Sequence, residues 1–228
     1  DDQHGTAIVV LAALINALKL VKKELSEIKI VMSGAGAAGT AIARLLTASG
    51  AKNIIGFDKD GLVCDAKPGD DEMRLWFVNN CNPGDFRGNI SEAIKGADVF
   101  IGVSAPNVLT ELDVANMAKD SIVFALANPE PEISPEIARK YAAIVATGRS
   151  DSPNQINNVL AFPGVFRGLL DARITKITDE MLVAAARAIA SCVADNQLNT
   201  NFIVPSVFDA NVVSKVALAI TKSSQILR

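Results

Sequence analysis

Cysteine, histidine and basic charge are all scarce in this chain, and each scarcity closes off a class of protein. The three cysteines, Cys64, Cys81 and Cys192, are odd in number and far apart. Neither a disulfide framework nor a CxxC zinc site can be read from them, and a reducing cytoplasm is the expected compartment. Lys plus Arg total 22 against 25 Asp plus Glu, a formal charge of −3. A nucleic-acid or anionic-membrane surface would need a basic excess, so neither is expected as a partner. Long hydrophobic runs are missing as well. The most apolar stretch, residues 7–18, is interrupted by Asn16 and is shorter than the roughly 20 residues a bilayer requires. Internal repeats and low-complexity tracts are absent. The chain opens Asp1-Asp2-Gln3-His4-Gly5, with no Met and no signal-peptide pattern, which reads as a processed product or a domain cut from something longer.

What is present suits a compact core. The chain has 228 residues, 50% apolar and 21% charged, enough for one large domain or two small ones that fold without metals or cross-links. Residues 6–24 are helix formers, apolar nearly all round, which predicts a buried helix. After them the period changes. Short β-branched runs at residues 29–32, 53–58, 98–103, 121–126 and 142–146 alternate with helical stretches. Ser91 is the expected cap of a short helix, Thr110-Glu111-Leu112-Asp113 resembles a capping box, and Ser134-Pro135 opens another helix. Residues from 65 to the Pro83-Gly84 turn read as polar loop. Helices dominate the end, at about residues 163–171, 178–192 and 209–223. Strands separated by helices must pair in parallel, because each crossover carries a helix over the sheet. The expected fold is α/β, a doubly wound parallel sheet with helices added at both chain ends.

Gly34-Ala35-Gly36-Ala37-Ala38-Gly39 matches GxGxxG and sits between a strand and a helix. The first glycine permits the tight turn, the second lets backbone approach a pyrophosphate, and the third lets helix pack on strand. The free N–H groups of the helix then face the phosphates. Asp58, at the end of the second strand, is placed to accept hydrogen bonds from the adenosine ribose, and its charge opposes a 2′-phosphate. This favours NAD, although the neighbouring Lys59 can meet a 2′-phosphate and keeps NADP open. An ordinary glycine-rich turn with a surface Asp is the plain alternative.

Two loops, Val103-Ser104-Ala105-Pro106-Asn107 and Ala127-Asn128-Pro129, leave strands on the same carboxyl rim. Ser104 and Asn128 can bond the nicotinamide ribose or a substrate, while Asn before Pro is equally a turn starter. Asn154-Gln155-Ile156-Asn157-Asn158 offers uncharged amides for a hydroxy acid, or simply a capped loop. Asp1 and Asp2 can divide into a cation ligand and an orienting carboxylate, or merely complement a helix dipole. His4, the only histidine, has no proton assigned to it by spacing.

Four segments then align with one family. Asp1-Asp2-Gln3-His4-Gly5-Thr6-Ala7, the glycine loop, Ala125-Leu126-Ala127-Asn128-Pro129 and Asn157-Asn158-Val159-Leu160-Ala161-Phe162-Pro163-Gly164 resemble, in order, the malic enzymes of the short bacterial type. The resemblance runs across the whole chain. It implies an NAD(P)-binding Rossmann-like domain of an oxidoreductase that decarboxylates (S)-malate to pyruvate and CO2 with NAD or NADP and Mg²⁺ or Mn²⁺. It implies a metal ligand at Asp2 and, at Asp1, a catalytic carboxylate that pairs with the family's lysine. Substrate contacts are implied at Asn128, Asn157 and Asn158. Cofactor contacts are implied at Thr6, Gly34, Ala35, Gly36, Ala37, Ala38, Gly39, Asp58, Val103, Ser104 and Asn128. A homo-oligomer is implied too.

The family's tyrosine acid, lysine base, acidic metal pair and malate-binding arginine precede the Asp-Asp segment. Residues 1–228 are therefore expected to be the cofactor domain without those groups, inactive alone and with apolar surface exposed. A Rossmann dehydrogenase acting on an amino acid or shikimate-like substrate would not need the Asp1-Asp2 metal site, and a non-catalytic NAD-sensing module would bind cofactor without turnover.

Overall fold

A computed structural model describes residues 3–226. It holds a six-stranded sheet formed by β1 (Lys29–Ser33), β2 (Asn53–Asp58), β3 (Gly61–Leu62), β4 (Val99–Gly102), β5 (Ile122–Ala125) and β6 (Ile144–Thr147) in the order β3-β2-β1-β4-β5-β6. All neighbours are parallel except β2 and the two-residue edge strand β3, which pair antiparallel with Phe57 opposite Leu62. The strand that precedes the glycine loop is thus central, and the order reverses beside it. A crevice opens at such a switch point, outside the carboxyl ends of the strands.

The strands are apolar on both faces because each face has its own core. Successive side chains point to opposite sides of a strand. Ile30, Met32, Ile101, Phe124 and Ala146 join one core, while Val31, Phe100, Val123, Ala125 and Val145 join the other. Helices α1 (His4–Val21), α2 (Ala37–Ala48), α3 (Glu72–Asn80) and α8 (Asp179–Ala190) contribute to the first core. Helices α4 (Ile90–Ala93), α5 (Glu111–Ala115) and α6 (Pro135–Ala138) cover the second. Two further helices, α7 (Phe162–Ala172) and α9 (Ala210–Ile226), complete the C-terminal layer.

Helix α1 explains its own composition. Among the described residues it is the one helix long and apolar enough to cross a membrane, yet 67% of it is buried inside the protein. It packs between α2 and α8, which bury its apolar faces. Asn16 is fully buried there, and its amide donates to Ala190 O at 3.0 Å and Ile203 O at 2.9 Å. The residue that interrupts the apolar run is therefore a cross-brace between α1, the end of α8 and the segment that follows.

Three local expectations need correction. The stretch from residue 65 is not all loop, because α3 forms within it. Asp71 caps α3 by accepting from Arg74 N, and a single wholly buried residue, Phe77, anchors it. One anchor leaves no periodic stripe to read. The cap of α4 is Asn89, not Ser91. Asn89 accepts from Glu92 N, and Glu92 accepts from Asn89 N in return. Ser134 flanks α6 with Pro135 in its first turn but makes no side-chain cap bond. The Thr110 capping box is present as read.

The Asn16 brace generates a stability prediction. Asn16→Ala leaves the buried Ile203 carbonyl without its donor and the Ala190 carbonyl with only the Val193 N–H at 3.2 Å, and an orphaned buried polar group costs about 1–3 kcal/mol. We expect a loss of about 2 kcal/mol in urea unfolding, and an unchanged midpoint would show that water replaces the amide.

Candidate functional site

The joint between β1 and α2 is built on two glycines. Gly34 has φ +106°, and a Cβ on Gly39 would lie 1.8 Å from Gly34 O. Any side chain at Gly39 would push the helix off the turn. Ala35 and Gly39 are buried in this joint, whereas Gly36 and Ala37 are exposed. Helix α2 begins after Gly36 without a side-chain cap. Its first-turn N–H groups thus lack an intrahelical acceptor and are available to an anion. Space around Gly36 is open, with no atom within 4 Å of where a Cβ would stand.

Two clefts flank this loop. The first, about 470 Å³, is lined by Thr6, Ala38, Val103, Ser104, Asn128, Asn157 and Asn158, with Leu126, Ala127, Gly148 and Ile156. Seven of the expected site residues thus come from five separate stretches of chain into one cavity. The second, about 640 Å³, is lined by Asp58 and Lys59 with apolar Phe57, Leu62, Ile90 and Val108. Ser104 borders both. A polar cleft and a more apolar cleft thus adjoin at Ser104.

The polar cluster at residues 154–158 divides by role. Asn154 is buried and wholly occupied, donating to Val145 O at 3.1 Å and Thr200 O at 2.7 Å and accepting from Ile203 N at 3.0 Å. Asn157 lines the cleft and also accepts from Val159 N at 3.0 Å, capping a 3-10 turn. The capping reading of that loop therefore holds at a residue that also faces the cavity. Asn158 lines the cleft, and Gly5 in the first turn of α1 packs against its Cβ and the Phe162 ring. This contact brings α1, and Thr6 with it, to the cleft wall. Asp1 and Asp2 lie outside the described residues.

Sequence reading missed three participants. Glu132 is fully buried, and its carboxylate accepts from Ser104 N at 2.9 Å, Ser104 Oγ at 3.3 Å and Ala127 N at 3.1 Å. It ties together the loops that follow β4 and β5. Burial pushes its pKa up, against the opposing pull of those donors. Gly148 follows the end of β6, and the rule that ligands lie at the carboxyl rim would have found it. Arg74 on α3 forms an ion pair with Asp58 Oδ2, and no local motif announces it.

Ser33 and Ser104 hydroxyls lie 2.7 Å apart and link β1 to the same network. Among the described residues, no group of three His, Cys, Asp or Glu side chains converges to hold a metal ion. The described residues alone do not compose a divalent-cation site. The three cysteines are free, and burial pushes Cys81 up to about 12.

The family profile described as malic enzyme, NAD binding domain, matches residues 3–225. An NAD-dependent malic enzyme of Geobacillus stearothermophilus is 52% identical over 224 residues, covering 98% of this chain and 47% of the relative. An NADP-dependent malic enzyme of Escherichia coli is 42% identical over 243 residues, covering 98% of this chain and 32% of the relative. The crystal structure of a malic enzyme from Pyrococcus horikoshii superposes with a TM-score of 0.92 at 44% identity, covering 100% of this chain and 55% of that one. The chain thus spans about half of these relatives or less. It belongs to the malic enzyme NAD-binding domain family.

Proposed function

We propose that this chain is the cofactor-binding domain of an enzyme that oxidises and decarboxylates (S)-malate to pyruvate and CO2 with NAD or NADP. The observation that carries the reading is the first cleft, where the start of α2, Ser104, Asn128 and the Asn157–Asn158 pair share one cavity with Thr6. The glycine turn, the uncapped helix N-terminus and the open space at Gly36 fit a pyrophosphate. Asp58 and the apolar second cleft fit an adenosine.

When bound, the nicotinamide supplies the acceptor for the hydride leaving the malate carbinol carbon. The residues of this chain orient that transfer. The α2 N-terminus holds the phosphates through backbone N–H groups. Ser104 and Asn128 face the nicotinamide end, and Asn128, Asn157 and Asn158 offer amides to the malate hydroxyl and carboxylates. Neutral amides suit this task, because they bind the anion without neutralising the carboxylate that must leave as CO2. Glu132 keeps the two rim loops in register by holding Ser104 and Ala127. Asp1 is proposed as the carboxylate that pairs with the general base, and Asp2 as one ligand of Mg²⁺ or Mn²⁺.

An apolar surface on α7 and α9, with Phe166, Leu170 and Leu218 more than half exposed, supports the assembly expected of the parent enzyme as a homo-oligomer. Its place in the cytoplasm and its small-molecule substrate, malate or pyruvate, belong to the same proposal.

Three outcomes test it. The full-length protein that carries this chain should form NADH and pyruvate from malate in the presence of Mn²⁺, with activity lost in EDTA. Stable oxaloacetate would mean a plain dehydrogenase, and absence of NADH would leave a nucleotide-sensing module. Asp58→Ala should weaken NAD binding by about tenfold and NADP far less, measured by calorimetry; equal losses would remove Asp58 from the ribose site. Glu132→Ala removes the acceptor of the part-buried Ser104 and Ala127 backbone N–H groups and should cost about 1 kcal/mol at neutral pH. Because the folded-state pKa of Glu132 lies above its ordinary 4.5, the wild-type protein loses stability as pH rises from the unfolded to the folded value. That segment of the pH–stability curve should flatten in the variant.

A further inference from the structure

Asp58 is the residue expected to choose NAD over NADP, but its carboxylate is not free to do so alone. Oδ1 already accepts from the Asp60 backbone N–H at 2.8 Å, and Oδ2 is ion-paired with Arg74 Nη1. Arg74 is held in turn from its other side by Asp70, with Nε 3.0 Å from Asp70 Oδ1. The side chains of Asp58 and Arg74 are 18% and 17% exposed, and that of Asp70 is 10% exposed. The cluster is thus shielded enough for its charges to feel one another. Lys59 lines the same cleft as Asp58.

Selection against a 2′-phosphate relies on an uncompensated negative charge beside the ribose. Here a guanidinium fixed on that carboxylate offsets the charge, and a second cation lies next to it. One carboxylate oxygen is also diverted from the ribose diol. Both effects act in the same direction, toward admitting the phosphorylated cofactor.

We propose that Arg74 is a positioning residue for cofactor choice: acting through Asp58, it relaxes the exclusion of a 2′-phosphate so that this site accepts both NAD and NADP. The proposal rests on the dinucleotide reading of the clefts. Arg74 does not line either cleft, so its influence runs through the charge and rotamer of Asp58 and not through contact with cofactor. Asp70 keeps it in place, which makes the pairing a built feature of the α3 start and not a chance surface contact.

The test is calorimetric titration of the full-length protein with NAD and with NADP, comparing wild type, Arg74→Gln, Arg74→Lys and the double variant Asp58→Asn/Arg74→Gln. Wild type should bind the two cofactors within about tenfold of each other. Arg74→Gln should leave Asp58 unpaired and weaken NADP relative to NAD by about tenfold or more. Arg74→Lys, keeping the charge, should restore most of the ratio, and the double variant should recover NADP by removing the unpaired carboxylate. A ratio that does not move in Arg74→Gln, or that stays down in both rescue variants, overturns the proposal. A merely structural role for Arg74 would weaken both cofactors equally and leave the ratio fixed. Failure of wild type to bind either cofactor would overturn the dinucleotide reading itself, and this inference with it.

Discussion

Everything at this site depends on how closely α2 can approach the end of β1. Gly39 stands so near the Gly34 carbonyl that no side chain fits between them. That contact fixes the direction in which the first turn of α2 points. It aims the unpaired N–H groups along the carboxyl rim, and the two clefts open on either side of that axis. A side chain at Gly39 would displace the helix from the turn and with it the Ala38 wall of the amide-lined cleft. A backbone-to-backbone contact therefore sets the geometry, and the side chains around it refine it.

Glu132 solves a second problem at the same rim. Loops that leave parallel strands at a switch point have no sheet partners of their own, and they splay unless something holds them. A buried carboxylate with three donors from two loops holds them by charge-assisted bonds, stronger than neutral ones. The cost is a desolvated charge with no cation hydrogen-bonded or ion-paired to it, visible as its raised pKa. Since Ser104 lies on both clefts and is bonded to Glu132 and close to Ser33, the same acid couples the two halves of the cavity mechanically.

Much of this was legible in the residues, and the pattern of success has a physical cause. The strands were readable because two-sided burial demands continuous apolar runs, and the glycine loop because its steric demands allow few substitutes. Helix α3 was not readable, because Phe77 is its one fully buried residue and Trp76 and Val78 beside it, only partly buried, complete no helical stripe. Asn154 and Asn157 are chemically identical and three residues apart, yet one braces Val145, Thr200 and Ile203 while the other faces the cleft. Sequence spacing cannot separate those roles when partners come from distant segments. Arg74 and Glu132 escaped for the same reason: an Arg in a charged stretch and a Glu after Glu130-Pro131 look like ordinary surface residues until the chain is folded around them. The roles of Asp1 and Asp2 still rest on the family resemblance.

The two clefts differ in how they are assembled, and that difference bears on function. The more apolar cleft uses residues between Ser33 and Val108, built from consecutive strand–helix units. The amide-lined side needs Thr6 from the start of the chain and Asn157 and Asn158 from beyond β6. These meet only because α1 docks between α2 and α8, with Gly5 against Asn158 and Phe162 and Asn16 bonded across to Ala190 and Ile203. On the proposed reading, the adenine end of the cofactor rests on local structure, while the reacting end rests on long-range packing. Perturbing α1 or α8 should therefore spoil the placement of the substrate amides before it loosens the nucleotide. The apolar helix α1 is in this sense a part of the proposed substrate site, although Thr6 is its one side chain that lines the cleft.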